Sequence, residues 1–375
     1  MKYTNLLVLL LIMLLLSACS SAPVTETVII PDTNPSPVDH ASSKPIHVKK
    51  IYRLPDRFSN VGRILGWSAD HAVIATFNSS QKVSLQQLPY PYEKSKDIGT
   101  IDRASYDTFL APDGKTICEI SSSTNQTVVQ LVSLADGKKT VLNKWDDATS
   151  YIQNISWSAN SKYISYLVNE SSNQNPNTLH IYNMSTGTDS SYPLRVFQAT
   201  EGDVVIHVDI ANNGTSVLLQ SYQGKRQQKK LVTMVEVSGK TLEVQYEREI
   251  GGNDVSWMNN DQFVFPGVDG SLYEYDRRNG ELSVILDHVL NFSFSNDRKS
   301  IAYTSLQDQN VIYVGKIQGR NVLHQEPVYR GITAYLLMWN EDGKSLLIQG
   351  AKPWDATQSS STTNYSEEAL IVALE

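Results

Sequence analysis

Residues that could carry catalysis or hold a metal ion are few in this sequence and widely spaced. The histidines lie singly, without the close spacing typical of metal ligands, at His40, His47, His71, His180, His207, His288 and His324. The sequence lacks a Gly-x-Ser-x-Gly motif, a His-Glu-x-x-His motif, a phosphate-binding glycine loop and a Cys-x-x-Cys pair. Asp269-Gly270 and Asp342-Gly343 lack the alternating carboxylates of a calcium loop and are typical of hairpin turns. The pattern predicts no catalytic residue, no metal site and no cofactor, and it favours a non-enzymatic role.

Cys19 stands at the end of a segment typical of protein export. Lys2 precedes an apolar run from Leu6 to Leu16, which is shorter than the roughly 20 residues of a membrane-spanning helix. The next residues, Leu16-Ser17-Ala18-Cys19, resemble the bacterial lipobox. That resemblance implies that residues 1–18 are a removed signal peptide and that the Cys19 thiol carries a diacylglycerol, which anchors the protein to a membrane. The alternative interpretation is an ordinary secretory signal followed by an incidental cysteine.

The segment after the signal is predicted to be a tether. Residues 19–45 are rich in Ser, Pro, Thr and Asp, a composition that cannot bury enough apolar surface to fold. A flexible chain of this length has an average reach of roughly 30 Å. We therefore expect a folded domain on the extracytoplasmic side of the cell membrane, held there by lipidated Cys19. Where an outer membrane exists, resemblance to sorted lipoproteins implies that Ser20 favours transport to it.

The charge balance argues against a nucleic-acid partner. The 375 residues contain 32 Lys and Arg and 39 Asp and Glu, which gives a formal net charge of −7. The densest basic cluster, Lys225-Arg226-Gln-Gln-Lys229-Lys230, falls where a solvated hairpin loop is expected. Cys118, the second of two cysteines, lies in an apolar run and is predicted to be a buried, inert thiol. No disulfide is expected in the mature domain.

One short pattern recurs seven times along the chain. A large ring or apolar residue, here called the anchor, precedes a tight polar turn and an apolar run of strand composition. The stretch Ile155 to Tyr166 is a clear copy, with Trp157 as its anchor. The seven anchors are Trp67, Leu110, Trp157, Ile210, Trp257, Phe294 and Trp339. Their spacing of about 37 to 53 residues is close to the period of propeller blades.

Most copies carry a second hairpin downstream, of which Leu272 to Ile285 is the clearest. Two hairpins per repeat predict a four-stranded blade. The repeat resembles the TolB-type propeller motif, a ring followed by Ser-Pro-Asp-Gly-Lys and an apolar strand, over about residues 61 to 350. Leu110 to Ile117 and Trp339 to Leu346 match that motif best. In other copies the turn glycine is replaced, by His71, Ser161 and Arg298.

The sequence therefore predicts an all-β domain over residues 46–375, a β-propeller of seven four-stranded blades. Only two strands are recognisable after the last anchor, Ser345 to Gln349 and Ala369 to Leu374, so the seventh blade lacks one strand. His47 to Leu54 has strand composition and is predicted to complete that blade, because a closed ring exposes fewer sheet edges. The alternative is six blades with an extra hairpin.

Four residues of the predicted loops are candidates for a binding surface. Trp145 and Trp354 are the two tryptophans that are not anchors, and exposed Trp, Tyr and Arg are typical of binding sites. Tyr222 and Arg226 flank the basic loop, and Trp354 belongs to a long insert from Ala351 to Ser366. The alternative for each tryptophan is a structural role at a blade edge.

Three functions remain open on this reading. The first is a lipid-anchored scaffold that binds a protein or a component of the cell envelope without catalysis. The second is an enzyme or glycan-binding protein that uses the axial pocket, which would require His, Arg, Asp or Glu side chains converging at one mouth of the channel. The third is an accessory or sensory subunit of a neighbouring membrane protein.

Overall fold

The computed structural model describes residues 28–29, 45–60, 62–80, 82–146, 150–170, 177–197, 203–226, 228–352 and 366–375. These residues form seven antiparallel blades of four strands, one of which gains a fifth, parallel strand at its outer edge, with one short helix, α1 (Asp56–Asn60), and one 3-10 turn, Arg195–Phe197. In five of the seven pairs of successive blades the first strands contact each other, and these pairs include the seventh blade with the first, so the sheets surround a common axis. The prediction of an all-β propeller with seven four-stranded blades is confirmed.

The strands follow one another in chain order from the axis outward in blades 1 to 6. Blade 1 contains β3 (Gly62–Trp67), β4 (Val73–Asn78), β5 (Val83–Leu88) and β6 (Lys96–Ile101). Blade 2 contains β7 (Ser105–Leu110), β8 (Thr116–Ser123), β9 (Gln126–Ser133) and β10 (Lys139–Trp145). Blade 3 contains β11 (Ser150–Trp157), β12 (Tyr163–Glu170), β13 (Thr178–Asn183) and β14 (Thr188–Pro193). Blade 4 contains β15 (Val204–Ile210), β16 (Ser216–Gln223), β17 (Lys229–Ser238) and β18 (Thr241–Glu249).

The remaining blades complete the ring. Blade 5 contains β19 (Ser256–Trp257), β20 (Gln262–Pro266), β21 (Leu272–Asp276) and β22 (Glu281–Leu286). Blade 6 contains β23 (Val289–Phe294), β24 (Ser300–Ser305), β25 (Val311–Gln318) and β26 (Asn321–Arg330). Blade 7 contains β27 (Thr333–Trp339), β28 (Ser345–Ala351), β29 (Glu367–Leu374) and, as its outermost strand, β2 (Val48–Arg53).

The two ends of the folded domain pair with each other in blade 7. Strand β2 runs antiparallel to β29, with Val48 opposite Leu374 and Arg53 opposite Leu370. The pairing continues beyond the strand, since the His47 and Glu375 backbones exchange hydrogen bonds of 3.2 and 3.0 Å. The prediction that an N-terminal strand completes the last blade is confirmed.

A further short strand lies within the predicted tether. Strand β1 (Val28–Ile29) pairs in parallel with β22, at the outer edge of blade 5, with Val28 opposite Leu282. Cys19 and residues 1–18 lie outside the described residues.

The anchors stand at the end of the innermost strands and pack between successive blades. Three of the anchors are tryptophans whose indole N–H donates to a backbone carbonyl of the preceding blade. The accepting residue stands just before that blade's own anchor. Trp67 bonds Met338 at 3.0 Å, Trp257 bonds Asp209 at 3.1 Å and Trp339 bonds Ser293 at 2.9 Å. Trp157 is the exception, because its indole nitrogen is buried and has no hydrogen-bond partner among the described residues. The anchor tryptophans thus supply both apolar area and, in three blades, a directional bond.

The turn after each anchor demands an unusual backbone conformation. The residue four positions past the anchor adopts a left-handed conformation in six blades, and it is glycine at 114, 214 and 343. His71, Ser161 and Arg298 adopt the same conformation, with φ of 59°, 57° and 59°, although side chains disfavour it. The substitutions of the turn glycine seen in the sequence therefore do not change the turn.

Candidate functional site

Exposed tyrosines lie where the innermost strands begin, at the opposite end from the anchors. Tyr106 on β7, Tyr151 on β11 and Tyr335 on β27 are 40%, 53% and 54% exposed. We call these three residues the tyrosine rim. The Tyr106 and Tyr151 rings stack, with centroids 5.6 Å apart and planes at 16°. The Tyr106 hydroxyl donates to the Ile152 carbonyl at 3.0 Å and accepts from the Ile152 amide at 3.2 Å, so an exposed ring is held rigidly.

A β-bulge that recurs in several innermost strands holds two of the rim tyrosines. In four blades the innermost strand has a β-bulge four residues before the anchor, at Tyr106, Ile206, Leu290 and Tyr335. A bulge turns its residue out of the regular alternation of a strand. Two of the rim tyrosines therefore project because of the bulge.

Two of the three rim tyrosines have raised pKa values. Burial raises the pKa of Tyr106 to about 12, although its bond to Ile152 acts in the opposite direction. The Tyr335 hydroxyl donates to Glu367 at 3.0 Å, and burial together with that carboxylate raises the pKa of Tyr335. Tyr106 and Tyr335 therefore present uncharged rings at neutral pH.

A cation borders the rim on blade 1. The Arg63 guanidinium forms an ion pair with Asp107 at 2.6 Å and lies 5.9 Å from the centroid of the Phe109 ring. A cleft of about 110 Å³ opens between blades 1 and 2, lined by Arg63, Tyr106 and Asp107 among others. Arginine and tyrosine are the side chains most often found to dominate binding energy at protein interfaces.

The innermost strands also enclose a cavity on the axis. It measures about 460 Å³ and is bordered by side chains from β3, β7, β11, β15 and β27. Its wall combines apolar side chains, including Phe109, Leu336 and Met338, with polar groups from Arg63, Thr108, Ser156 and His207. A second cavity of about 230 Å³ lies at the anchor end and shares Leu65, Leu110 and Met338 with the first.

Asp209 and Arg298, two charged groups of non-adjacent blades, influence each other electrostatically. Asp209 of blade 4 accepts a hydrogen bond from Ser156 at 2.8 Å. Burial raises the pKa of Asp209 to about 6, and the bond from Ser156 and the charge of Arg298 offset only part of that effect. Arg298 of blade 6 is itself desolvated, so its pKa is lowered, with Asp209 acting in the opposite direction. No direct ion pair joins the two side chains.

His207 adds a neutral group to the same wall. Burial, and secondarily the charge of Lys230, lowers the pKa of His207 to about 4. Lys230 donates to the Gly252 carbonyl at 2.9 Å, and its own pKa is lowered by burial. At neutral pH the imidazole is therefore uncharged and can both donate and accept a hydrogen bond.

The structure places the described residues of the predicted binding surface on two blades, Trp145 on blade 2 and Tyr222 and Arg226 on blade 4. Trp145 ends β10 and is half-buried, edge-on to Tyr166 and His180 at centroid distances of 6.3 and 5.7 Å. Tyr222 is half-buried in blade 4, with the Lys230 ammonium 5.9 Å from its ring centroid, and Arg226 is exposed in the following loop. Trp354 lies outside the described residues. That these four residues bind a partner stays a prediction.

The sequence did not predict the tyrosine rim or the polar groups of the channel. Motif searches look for neighbours in sequence, whereas Ser156, Asp209 and Arg298 come from three blades. Counting backward from each anchor would have found part of the signal, because Tyr106 and Tyr335 both stand four residues before an anchor.

Within the described ranges, no group of three or more His, Cys, Asp and Glu side chains could hold a metal ion. Over the same ranges, no helix combines the length and apolarity needed to span a bilayer.

Comparison with known proteins bears on the fold. No family model matches the sequence, and no curated protein matches it. A chain of the crystal structure of the mitotic checkpoint complex is similar, with a TM-score of 0.54 at 11% identity, over 93% of this chain and 99% of that one. A prolyl endopeptidase structure gives a TM-score of 0.53 at 12% identity, over 79% of this chain and 46% of that one. The C-terminal WD40 domain of Sif2 gives 0.48 at 14% identity, over 87% and 99%.

At such low identity these likenesses concern architecture alone. Together with the seven blades described above, the first two support the architecture of a seven-bladed β-propeller.

The opposed pKa shifts of Asp209 and His207 predict opposite pH dependences of stability. The pKa of Asp209 in the folded protein, about 6, exceeds its usual 3.8, so the folded state favours the protonated carboxyl group. Ionisation of Asp209 therefore lowers the free energy of unfolding above pH 6, and this destabilisation disappears as the pH falls towards 4. The native pKa of His207, about 4, lies below its usual 6.5, so stability is lost as pH falls from 6.5 to 4. We expect Asp209→Asn to gain about 3 kcal/mol over the wild type above pH 6 and little near pH 4.

His207→Gln is the matched variant, and its advantage over the wild type should appear only below pH 6.5 and grow towards pH 4. Urea unfolding of the three proteins at intervals between pH 4 and 8 measures both differences. Parallel curves for either variant and the wild type would contradict the assigned shifts.

Proposed function

We propose that this protein is a bacterial lipoprotein with a TolB-like propeller, which binds a protein partner at the cell envelope without catalysis. The observation that carries the binding role is the tyrosine rim with the adjoining Arg63. These side chains combine exposure with fixed geometry, so binding would cost little conformational entropy. The rim lies at one face of a rigid ring, where a partner contacts several blades together.

The lipid anchor rests on the residues that precede the domain. The apolar run and the lipobox-like Leu16 to Cys19 support cleavage before Cys19 and acylation of its thiol. Such a protein would be held on the extracytoplasmic side of the cell membrane, or at an outer membrane where one exists. The first strand that pairs with the propeller is β1 (Val28–Ile29), at the edge of blade 5, so residues 20–27 would connect the lipid to the propeller.

A second candidate function uses the axial channel. Ser156 and His207 line the cavity and Asp209 accepts a hydrogen bond from Ser156, so hydroxyl, imidazole and carboxylate groups meet on one side of it. Such a convergence is what an enzyme or glycan-binding protein acting at the axis would require. The tyrosine rim is favoured because its residues are already open to a macromolecular partner.

The lipid anchor predicts different outcomes for the two cysteines. Cys19→Ser should abolish incorporation of labelled palmitate and release the protein from the membrane fraction, because no thiol remains at the cleavage site. Cys118→Ser is the matched control and should leave both unchanged, since Cys118 is fully buried and burial raises its pKa, which keeps the thiol unreactive. Palmitate labelling and membrane fractionation in the native host check this. If the Cys19→Ser protein carries no acyl chain and still stays in the membrane fraction, the proposal of a lipid anchor at Cys19 is contradicted.

The tyrosine rim predicts where a partner crosslinks. A photoreactive amino acid placed at Tyr151 or Tyr335 in living cells should crosslink to the partner, whereas one at Tyr90, which is 66% exposed on blade 1 away from the rim, should not. The double variant Tyr151→Ser/Tyr335→Ser should then bind the isolated partner about 10 to 100 times more weakly, as expected for the loss of two hot-spot side chains. Tyr90→Ser should bind it as the wild type does. Equal crosslinking from all three positions would contradict a binding role of the rim.

A further inference from the structure

The outermost strand of blade 5, β22, differs from the outermost strands of the other six blades. None of its six residues is exposed, whereas more than half of the residues are exposed in each of the others. Each of the others also carries at least two charged or proline residues, which protect a sheet edge against pairing, and β22 carries only Glu281. The edge of blade 5 therefore lacks the usual protection against an added strand.

Neighbouring blades cover both faces of β22. Leu282 belongs to an apolar cluster that also contains Val232 of blade 4, and Ile285 belongs to one that contains Val322 of blade 6. The two blades leave the outer backbone edge of β22, with its N–H and C=O groups, for a further strand.

Strand β1 pairs with this outer edge. It runs parallel to β22, with Val28 opposite Leu282 and Ile29 opposite Ser283. Within residues 20–45, the stretch from Val28 to Ile30 is the only run of consecutive Val or Ile residues, which favour strands. The composition of the tether and the unprotected edge of blade 5 thus indicate the same pairing.

The direction of this pairing sets the side on which the tether meets the propeller. Leu282 is aligned with the anchor Trp257 across the blade, through Tyr275 and Phe263, and Leu286 lies at the opposite end. Strand β22 therefore runs from the anchor end towards the end at which the innermost strands begin. Because β1 is parallel to β22, the tether enters β1 from the anchor end, away from the tyrosine rim.

The link between Cys19 and β1 is short enough to hold this direction. Residues 20–27 span at most about 30 Å when fully extended. The innermost strands of six blades contain six to eight residues, so the ring is about 20 Å thick along its axis. A link that turned back past blade 5 to the rim would use most of its length.

We propose that β1 docks the tether on the edge of blade 5 and thereby orients the propeller on the membrane. The anchor end faces the bilayer and the tyrosine rim faces away from it. This orientation rests on the lipid anchor proposed at Cys19, whereas the docking does not. If β1 were undocked, all of residues 20–45 would separate the lipid from the domain, and either end could face the bilayer. The partner of the rim is therefore a protein domain that approaches from the side away from the membrane.

A designed disulfide tests the docking without the lipid. In the full chain carrying Cys19→Ser, the pair Ile29→Cys/Ser283→Cys should be linked by mild oxidation, because neighbouring strands lie about 5 Å apart. Val38→Cys/Ser283→Cys is the matched control and should be linked about tenfold more slowly, because position 38 is far along the tether from β1. Mass spectrometry of unreduced peptides measures both linkages.

Energy transfer to dyes on lipid headgroups tests the orientation of the acylated full chain in lipid vesicles. One donor dye is attached at Asn279→Cys, in the hairpin at the anchor end of blade 5, and another at Val268→Cys, in the turn at the opposite end, where Val268 is 70% exposed. The donor at position 279 should lie about 20 Å closer to the headgroups, the thickness of the ring. Cys118 is fully buried and stays unlabelled.

Proline variants connect the two measurements. Val28→Pro/Ile29→Pro removes both backbone N–H groups of β1 and should abolish the difference between the two donors. Val24→Pro/Thr25→Pro is the matched control, because it stiffens the link equally without changing β1, and it should keep the difference.

The outcomes separate the docking, the orientation and the lipid anchor. Equal linkage of positions 29 and 38 to position 283 overturns the docking, whether or not Cys19 is acylated. Preferred linkage of position 29 together with equal donor distances overturns the orientation and leaves the lipid anchor intact. Absence of palmitate on Cys19 overturns the lipid anchor and the orientation that rests on it.

Discussion

The fold depends on the packing of one anchor side chain between each pair of successive blades. A lone four-stranded sheet would leave its anchor exposed, so no blade is complete without its neighbour. In three blades the anchor is a tryptophan that also bonds the backbone of the preceding blade, and in blade 1 this bond reaches from Trp67 to Met338 across the point where the ring closes. The pairing of β2 with β29 secures the same closure at the outer edge of blade 7.

Because the ring closes, side chains that are remote in sequence meet on the axis. The beginnings of the innermost strands place Tyr106, Tyr151 and Tyr335 at one end of the ring, and the bond from Ser156 to Asp209 joins blades 3 and 4. The rim tyrosines are exposed, whereas the cavity is bordered by the innermost strands of five blades.

The architecture could be read from the sequence because each blade repeats a local signal, an anchor followed by a tight turn. The shortage of one strand after Trp339 was enough to assign β2 to the last blade. The sites could not be read in this way. The bulges at Tyr106 and Tyr335 cannot be recognised from amino-acid composition, and the bond from Ser156 to Asp209 forms only when blades 3 and 4 pack together. Trp145 was predicted to belong to a binding surface because it is not an anchor, and in the structure it packs against Tyr166 and His180. The acylation of Cys19 stays a prediction.

The anchor bonds are tested most directly by replacing each anchor tryptophan with phenylalanine and measuring the free energy of unfolding in urea. Trp67→Phe, Trp257→Phe and Trp339→Phe each remove an indole N–H bonded to a neighbouring blade, whereas Trp157→Phe removes one that is buried and unpaired. The account predicts that the first three variants lose about 1 kcal/mol more than Trp157→Phe, the net value of one buried hydrogen bond. A loss for Trp157→Phe as large as for the other three would contradict it.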